Sequence, residues 1–282
     1  MEQKGKQDEA LLLKYYKRCK DKVRDNQYLS LYADEKLTHS FQVVGAGNYI
    51  MRHEDVFKKR ADERYLRSAK LAYLFHDIGR FVEIEHLYDE YPDFKKHDHS
   101  QYSYEILKDI PEYAQAEILL PVKHHGHMIK SLYEDEDYQK IKDVQQKQDV
   151  EHIAFLVRDA DKIANFYLMK NSQKQENDIF EHLFMNKAPE GELSEKMVHD
   201  FLSLKMPGRG DIRCKGDWML NYLSWIYDLN YQASFDFCRK TGVFTAMFRI
   251  LDKYNKNKDL QKEIERTIVE YINHRNQQFE RG

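Results

Sequence analysis

Apolar residues in this chain recur at three- and four-residue spacing, and alternating strand-like runs are scarce. That spacing lines one face of an α-helix, whereas the faces of a strand repeat every second residue. Only 11 glycines and 5 prolines interrupt 282 residues, so few breaks are forced on a helical chain. The expected fold is all-α, a helical bundle with a helical C-terminal extension packed on it. The length suffices for a domain plus an extension with a sizeable core. The expected division is a helical domain over residues 1–175 and the extension over 176–282.

The pattern places an opening amphipathic helix from Leu11 to Leu31, and Thr38 as the N-cap of a helix through Met51. That second helix carries His39, Val43, Ala46 and Ile50 on related faces. Arg64 to Asp77 forms a largely apolar helix that Gly79 ends, and residues 80–98, with Pro92, read as a loop. His99–Leu107 and Glu112–His125 follow as helices separated by Pro111, and Gly126 suits a helix C-terminus. The acidic run Glu134–Asp137 reads as a solvated loop or helix end. Val150–Met169 reads as a strongly apolar helix containing Asp159 and Asp161. A polar linker over Asn171–Asp178 leads into further helices, where the aromatic density of Trp218–Phe248 reads as core rather than a cofactor box.

Net charge is -3 with histidine neutral, a balance that suggests neither wholesale nucleic-acid nor membrane binding. Three widely spaced cysteines, Cys19, Cys214 and Cys238, make a disulfide framework an unsuitable reading. No apolar run approaches the ~20 residues of a membrane span, and the charged N-terminus has no signal-peptide core, so a cytoplasmic location is expected by default. Oligomeric state has no sequence signature here.

Nine of the 13 histidines lie between His39 and His127. The informative order is His39, His76-Asp77, His99, His124-His125 and Asp161. Imidazole nitrogen and carboxylate oxygen are the donors that divalent first-row metals prefer. His76-Asp77 follows Leu71-Ala72-Tyr73-Leu74-Phe75, and Asp161 follows Phe155-Leu156-Val157, so ionisable groups interrupt helices that bury apolar side chains. An unpaired buried carboxylate costs several kcal/mol and needs a partner such as a cation. A structural carboxylate, or a salt bridge to Arg158 or Lys162, explains either aspartate alone; the full ordered set points to a metal centre.

These residues resemble the HD-domain metal-dependent phosphohydrolase superfamily. The resemblance lies in His39, the run Phe75-His76-Asp77-Ile78-Gly79, and Asp161 within Asp159-Ala160-Asp161-Lys162-Ile163-Ala164-Asn165, and covers roughly residues 35–170. It implies an all-α HD-domain bundle with His39, His76, Asp77 and Asp161 on one metal. His99 and the His124-His125 doublet resemble the extra ligands of members holding two or more ions. Asp77 would then bridge two ions, His99 and His124 would complete the second site, and His125 would be an alternative or third-site ligand. The cofactors expected are divalent ions, two of them, from Mn, Fe, Co, Ni or Zn, with Mg less natural for imidazole-rich ligation.

Arg80 stands where related phosphodiesterases carry a basic residue, which implies phosphate binding; a surface salt bridge is the plainer reading. Lys162 and Asn165 are weaker substrate-binding candidates. Among other histidines, His53 reads as exposed, His97 competes with His99, His86 and His127 read as surface or cleft mouth, and His152 lies well below Asp161 on one helix. Gly45-Ala46-Gly47 lacks the strand of a dinucleotide fingerprint, and the loop Pro207–Gly216, with Arg209, Arg213 and Lys215, reads as a solvated turn.

The function expected is hydrolysis of a small phosphorylated molecule, a nucleotide in the first instance, by metal-activated water. After His124-His125 the chain reads Gly126-His127-Met128, without the Gly-Tyr-Pro segment of cyclic-dinucleotide phosphodiesterases, which argues against cyclic di-GMP. The Asp161–Asn165 stretch is similar to that of (p)ppGpp hydrolases, which lack the histidine doublet. Two other classes stand beside hydrolysis: an HD-fold di-iron oxygenase, whose ligand set is near-identical, and a ligand-binding regulator without turnover.

Overall fold

The computed structural model describes residues 2–60, 62–90, 97–172 and 188–281. Among the described residues the secondary structure is helical and contains no strand, so the all-α expectation holds. No helix among them is long and apolar enough to cross a membrane. The chain divides into two compact units, residues 1–161 and 162–282.

The first unit contains α1 (Glu2–Lys22), α2 (Gln27–His53), α3 (Asp55–Lys58), α4 (Glu63–Phe75), α5 (Gly79–Asp89), α6 (His99–Leu107), α7 (Ala116–His124), α8 (Lys130–Tyr133), α9 (Glu136–Lys140) and the part of α10 (Val144–Ser172) through Asp161. Helix α4 packs against α2 and α7, α5 against α1 and α6, and α6 against α7. Val43 and Ile50 of α2, Ala72 and Phe75 of α4, and Ile118 and Val122 of α7 are fully buried in this unit. Full burial of an Ile or Phe side chain contributes about 1.5–3 kcal/mol. A smaller cluster of Leu120, Leu132, Tyr138, Val150 and Ala154 seats α8 and α9.

Several boundaries differ from the sequence reading. The first helix ends at Lys22, and the N-cap of α2 is Asn26, whose side chain accepts from the Leu29 amide. Thr38 lies inside α2, its hydroxyl donating to the Asp34 carbonyl one turn back. Gly79 opens α5 rather than closing α4, and residues read as loop form this helix because Phe81 and Ile84 bury a face. Its outer face is tied to the first helix by a bidentate Arg18–Glu85 pair at 2.8 Å. Pro92 lies outside the described residues.

Helix α7 starts at Ala116 rather than Glu112. Before it, Ile110–Ala114 form a turn in which the buried Tyr113 hydroxyl donates to Asp8 at 2.9 Å. The acidic run contributes an N-cap rather than only solvated charge, because Asp135 accepts from the amides of Asp137 and Tyr138 at the start of α9.

The second unit holds the end of α10, then α11 (Glu195–Leu202), α12 (Lys215–Ser224), α13 (Gln232–Thr241), α14 (Val243–Tyr254) and α15 (Lys258–Arg281). Of the linker read over Asn171–Asp178, Asn171 and Ser172 end α10 and residues 173–178 lie outside the described residues. Gly242, at φ 67°, makes the corner between α13 and α14. The aromatic residues stack on one another, with Tyr222 and Trp225 4.5 Å apart and Tyr227 and Tyr271 4.9 Å apart, as expected of core. Asp217, fully buried, accepts from the Ser194 amide and hydroxyl and the Arg213 amide, fixing the start of α12.

Candidate metal centre

Five segments of the first unit bring donors together: α2 supplies His39, the α4–α5 junction His76 and Asp77, α6 His99, the end of α7 His125, and α10 Asp161. Two groups of donor atoms result, His39-His76-Asp77 and Asp77-His99-His125, each with its ligand atoms within 4.8 Å of one another. Asp77 belongs to both. Its Oδ1 lies 3.3 Å from His99 Nε2 and 3.4 Å from His125 Nε2. Its Oδ2 lies 3.9 Å from His76 Nε2 and 4.0 Å from His39 Nε2. Asp161 Oδ1 is 3.0 Å from His39 Nε2 and 3.9 Å from His76 Nε2. Donors about 2.0–2.2 Å from an ion stand about 3 Å or slightly more apart, so the 3.3 and 3.4 Å separations around Asp77 Oδ1 suit coordination edges, while His39 and Asp161 share a hydrogen bond at 3.0 Å.

The tautomers favour ligation. A carbonyl can only accept, so His76 Nδ1–H donates to Tyr73 O at 2.9 Å and Nε2 carries a lone pair. His76 Nε2 is buried with no hydrogen-bond partner. His125 Nδ1–H likewise donates to Val122 O at 2.7 Å, leaving a lone pair on Nε2. His99 Nε2 accepts from Arg80 Nη2 at 2.8 Å, because guanidinium has no acceptor. A second-nitrogen bond to backbone is how metal-binding imidazoles are oriented. Burial holds His76 down to about 4 and His99 well below its ordinary value, so both are neutral near pH 7. Burial alone would raise the Asp77 carboxyl, but Arg80 and the surrounding imidazoles hold it well below the usual carboxylate range. Asp161 is likewise depressed against its burial, by its hydrogen bond with His39. Neutral imidazoles and ionised carboxylates are the protonation states that bind cations, and the donor set fits a divalent metal.

Backbone packing fixes these positions. The Ser103 hydroxyl, fully buried, accepts from the Gly79 amide at 2.8 Å and lies 2.8 Å from His76 O and 3.0 Å from His99 O. A Cβ at Gly79 would stand 2.3 Å from both His99 O and Ser103 N, so only glycine lets α5 meet α6. Gly126 meets the same helix: a Cβ there would be 2.8 Å from Ser100 Oγ. Arg158, buried on α10, donates to the His125 carbonyl at 3.3 Å and to that of His127, holding the turn after α7.

Of the histidine doublet, the structure turns His125 toward Asp77 and His124 away. His124 Nδ1 pairs with Ser131 Oγ and Nε2 with Asp135 Oδ2, both at 2.9 Å. Asp135 also accepts from Lys123 at 2.7 Å and, despite burial, is held at about 2 by Lys123 and His124. His124 thereby anchors the turn that aims His125. His125→Ala is expected to lose one equivalent of cation, whereas His124→Ala keeps the stoichiometry and weakens affinity roughly 10–100-fold. Metal content after gel filtration and chelator competition measure both; the reverse pattern would assign His124 as the ligand.

Arg80 faces the centre, its Nε 3.8 Å from Asp77 Oδ2 and its Nη1 bonded to Glu83. Lys162 is ion-paired with Asp228 at 2.8 Å in the second unit, and Asn165 lies one turn beyond Asp161 on α10. His97 bonds Tyr102 and Glu90 and stacks on His86 at 5.0 Å, apart from both donor groups. His127 lies 3.3 Å from Asp98, His53 is exposed against Tyr49, and His152 is half-buried.

Two neighbours of His39 escaped the sequence reading. Lys36, buried, has its Nζ 3.9 Å from Asp77 Oδ2. Glu35 has both carboxyl oxygens buried without a hydrogen-bond partner, and burial pushes it up to about 7. Their signal was helical register, three and four residues before His39.

Neither a curated protein nor a solved structure matches the chain. The family model described as HD domain matches residues 37–165, a stretch that contains His39, the His76-Asp77 doublet, His99, His125 and Asp161. Residues 37–165 thus carry an HD domain, the domain found in the HD metal-dependent phosphohydrolase superfamily.

Proposed function

We propose that this protein hydrolyses a phosphate ester or anhydride of a small molecule, a nucleotide in the first instance, at a dinuclear centre bridged by Asp77. The observation that carries the reading is the sharing of Asp77 between two histidine groups, one on each carboxylate oxygen. His39, His76, Asp77 and Asp161 would hold one ion; Asp77, His99 and His125 the other. Two such cations lower the pKa of a shared water and neutralise a phosphoryl oxygen in hydrolysis.

The protein's own groups supply the rest. Burial excludes bulk water from His76 and Asp77, which strengthens the electrostatics of the site. Arg80 would give up its hydrogen bond to His99 when a cation takes that nitrogen. Its planar guanidinium, still steered by Glu83, would then turn to phosphoryl oxygens. No side chain is required as a covalent nucleophile.

The test is a panel of phosphomonoesters, phosphodiesters and nucleotides offered to metal-free protein reloaded with Mn, Fe, Ni, Co, Zn or Mg. Phosphate release with a first-row ion is expected. Oxygen uptake with bound iron, and no release of phosphate from any ester, would overturn the hydrolytic reading in favour of oxygenation.

A further inference from the structure

Lys36 reaches the carboxylate of Asp77 from α2. Its side chain is 7% exposed, its Nζ is 3.9 Å from Asp77 Oδ2, and it lies over the Tyr32 ring at 5.6 Å. Arg80 Nε approaches the same oxygen at 3.8 Å from α5. One carboxylate is therefore approached by an ammonium, a guanidinium and four imidazoles. Once Asp77 serves divalent cations, its negative charge is committed to them. Two such ions with Lys36 and Arg80 would outweigh Asp77, Asp161, Glu83 and the nearby Glu35, leaving the centre with an excess of positive charge. A buried excess of that kind draws in an anion.

We propose that Lys36 and Arg80 clamp a doubly negative phosphoryl group, so that the substrate is a phosphomonoester rather than a phosphodiester. The inference rests on the hydrolytic reading above and narrows it. A monoester presents a second anionic oxygen that an ammonium can meet. A diester carries one negative charge and sets a carbon substituent in the place of that oxygen, so it offers Lys36 nothing anionic to meet. Lys36 would act on the substrate directly, from the turn of α2 that precedes the His39 ligand.

The experiment is calorimetric titration of manganese-loaded protein with inorganic phosphate and with dimethyl phosphate at pH 8, for the wild type, Lys36→Met and Lys36→Arg. Wild type is expected to bind phosphate at least about tenfold more tightly than dimethyl phosphate, the worth of one hydrogen bond to a charged group. Lys36→Met should lose that advantage while keeping its affinity for dimethyl phosphate and its manganese content, and Lys36→Arg should recover most of it. Phosphate affinity in Lys36→Met within twofold of wild type overturns the proposal. So does a wild-type preference for dimethyl phosphate, or loss of manganese from Lys36→Met, which would make Lys36 a support for the metal ligands. These readings need no turnover, so failure of the hydrolytic reading, seen as no phosphate release across the substrate panel, is distinguishable from failure of this one.

Discussion

Asp77→Ala protein is expected to leave gel filtration with neither ion bound and to release phosphate at least roughly a thousandfold more slowly than wild type. The size follows from the loss of several kcal/mol of cation stabilisation, at 1.36 kcal/mol per factor of ten. The severity follows from sharing. His39 and His76 face one oxygen of this carboxylate, and His99 and His125 face the other. A single truncation thus removes a ligand from both groups, whereas His125→Ala removes one from a single group. Asp77→Asn preserves the volume and deletes the charge, which separates ligation from packing. Circular dichroism confirms that either variant is folded before metal is counted. Unchanged stoichiometry in Asp77→Ala would dispose of the shared ligand.

Gly79→Ala is expected to destabilise the fold by about 3 kcal/mol and to impair the Asp77-His99-His125 group first. The added methyl would fall 2.3 Å from His99 O and 2.3 Å from Ser103 N, both backbone atoms that no side-chain rotation can move aside. Helices α5 and α6 must separate to admit it, at the upper end of what overpacking a core costs. Separation also withdraws the Gly79 amide from Ser103 and shifts the backbone that carries His99. Urea denaturation of the metal-free variant measures the loss, and metal content measures the displacement of His99. A midpoint equal to wild type would show that α6 yields without penalty.

The helices with clean apolar stripes were legible in the sequence, α4 and α6 within a residue or two and α10 over its buried span. The donors on those helices were legible too, because an ionisable residue inside an apolar run is buried at a cost that a bound cation offsets. The inward member of the His124-His125 doublet was not. Adjacent residues at a helix end point about 100° apart, and the tethers that decide between them, Ser131, Asp135 and Arg158, come from elsewhere in the chain. Helix α5 was hidden for a related reason: Gly79 marks a close approach between helices, which in one dimension looks the same as a helix stop. Lys36 and Glu35 escaped notice in the sequence because burial of polar residues is decided by what packs over them, not by the residues.

The donor set has a bearing on how the chain holds together. His39 and Asp161 meet across 122 positions of sequence, while Cys19, Cys214 and Cys238 form no covalent bridge. An ion gripped by both would fasten the two ends of a very long loop, as a disulfide does. For a closure of about 100 residues that restriction of the denatured chain is worth roughly 4–5 kcal/mol in the chain-entropy picture. Such a staple opens when the ion departs, so the folding free energy of this domain would follow the supply of the cation its chemistry uses.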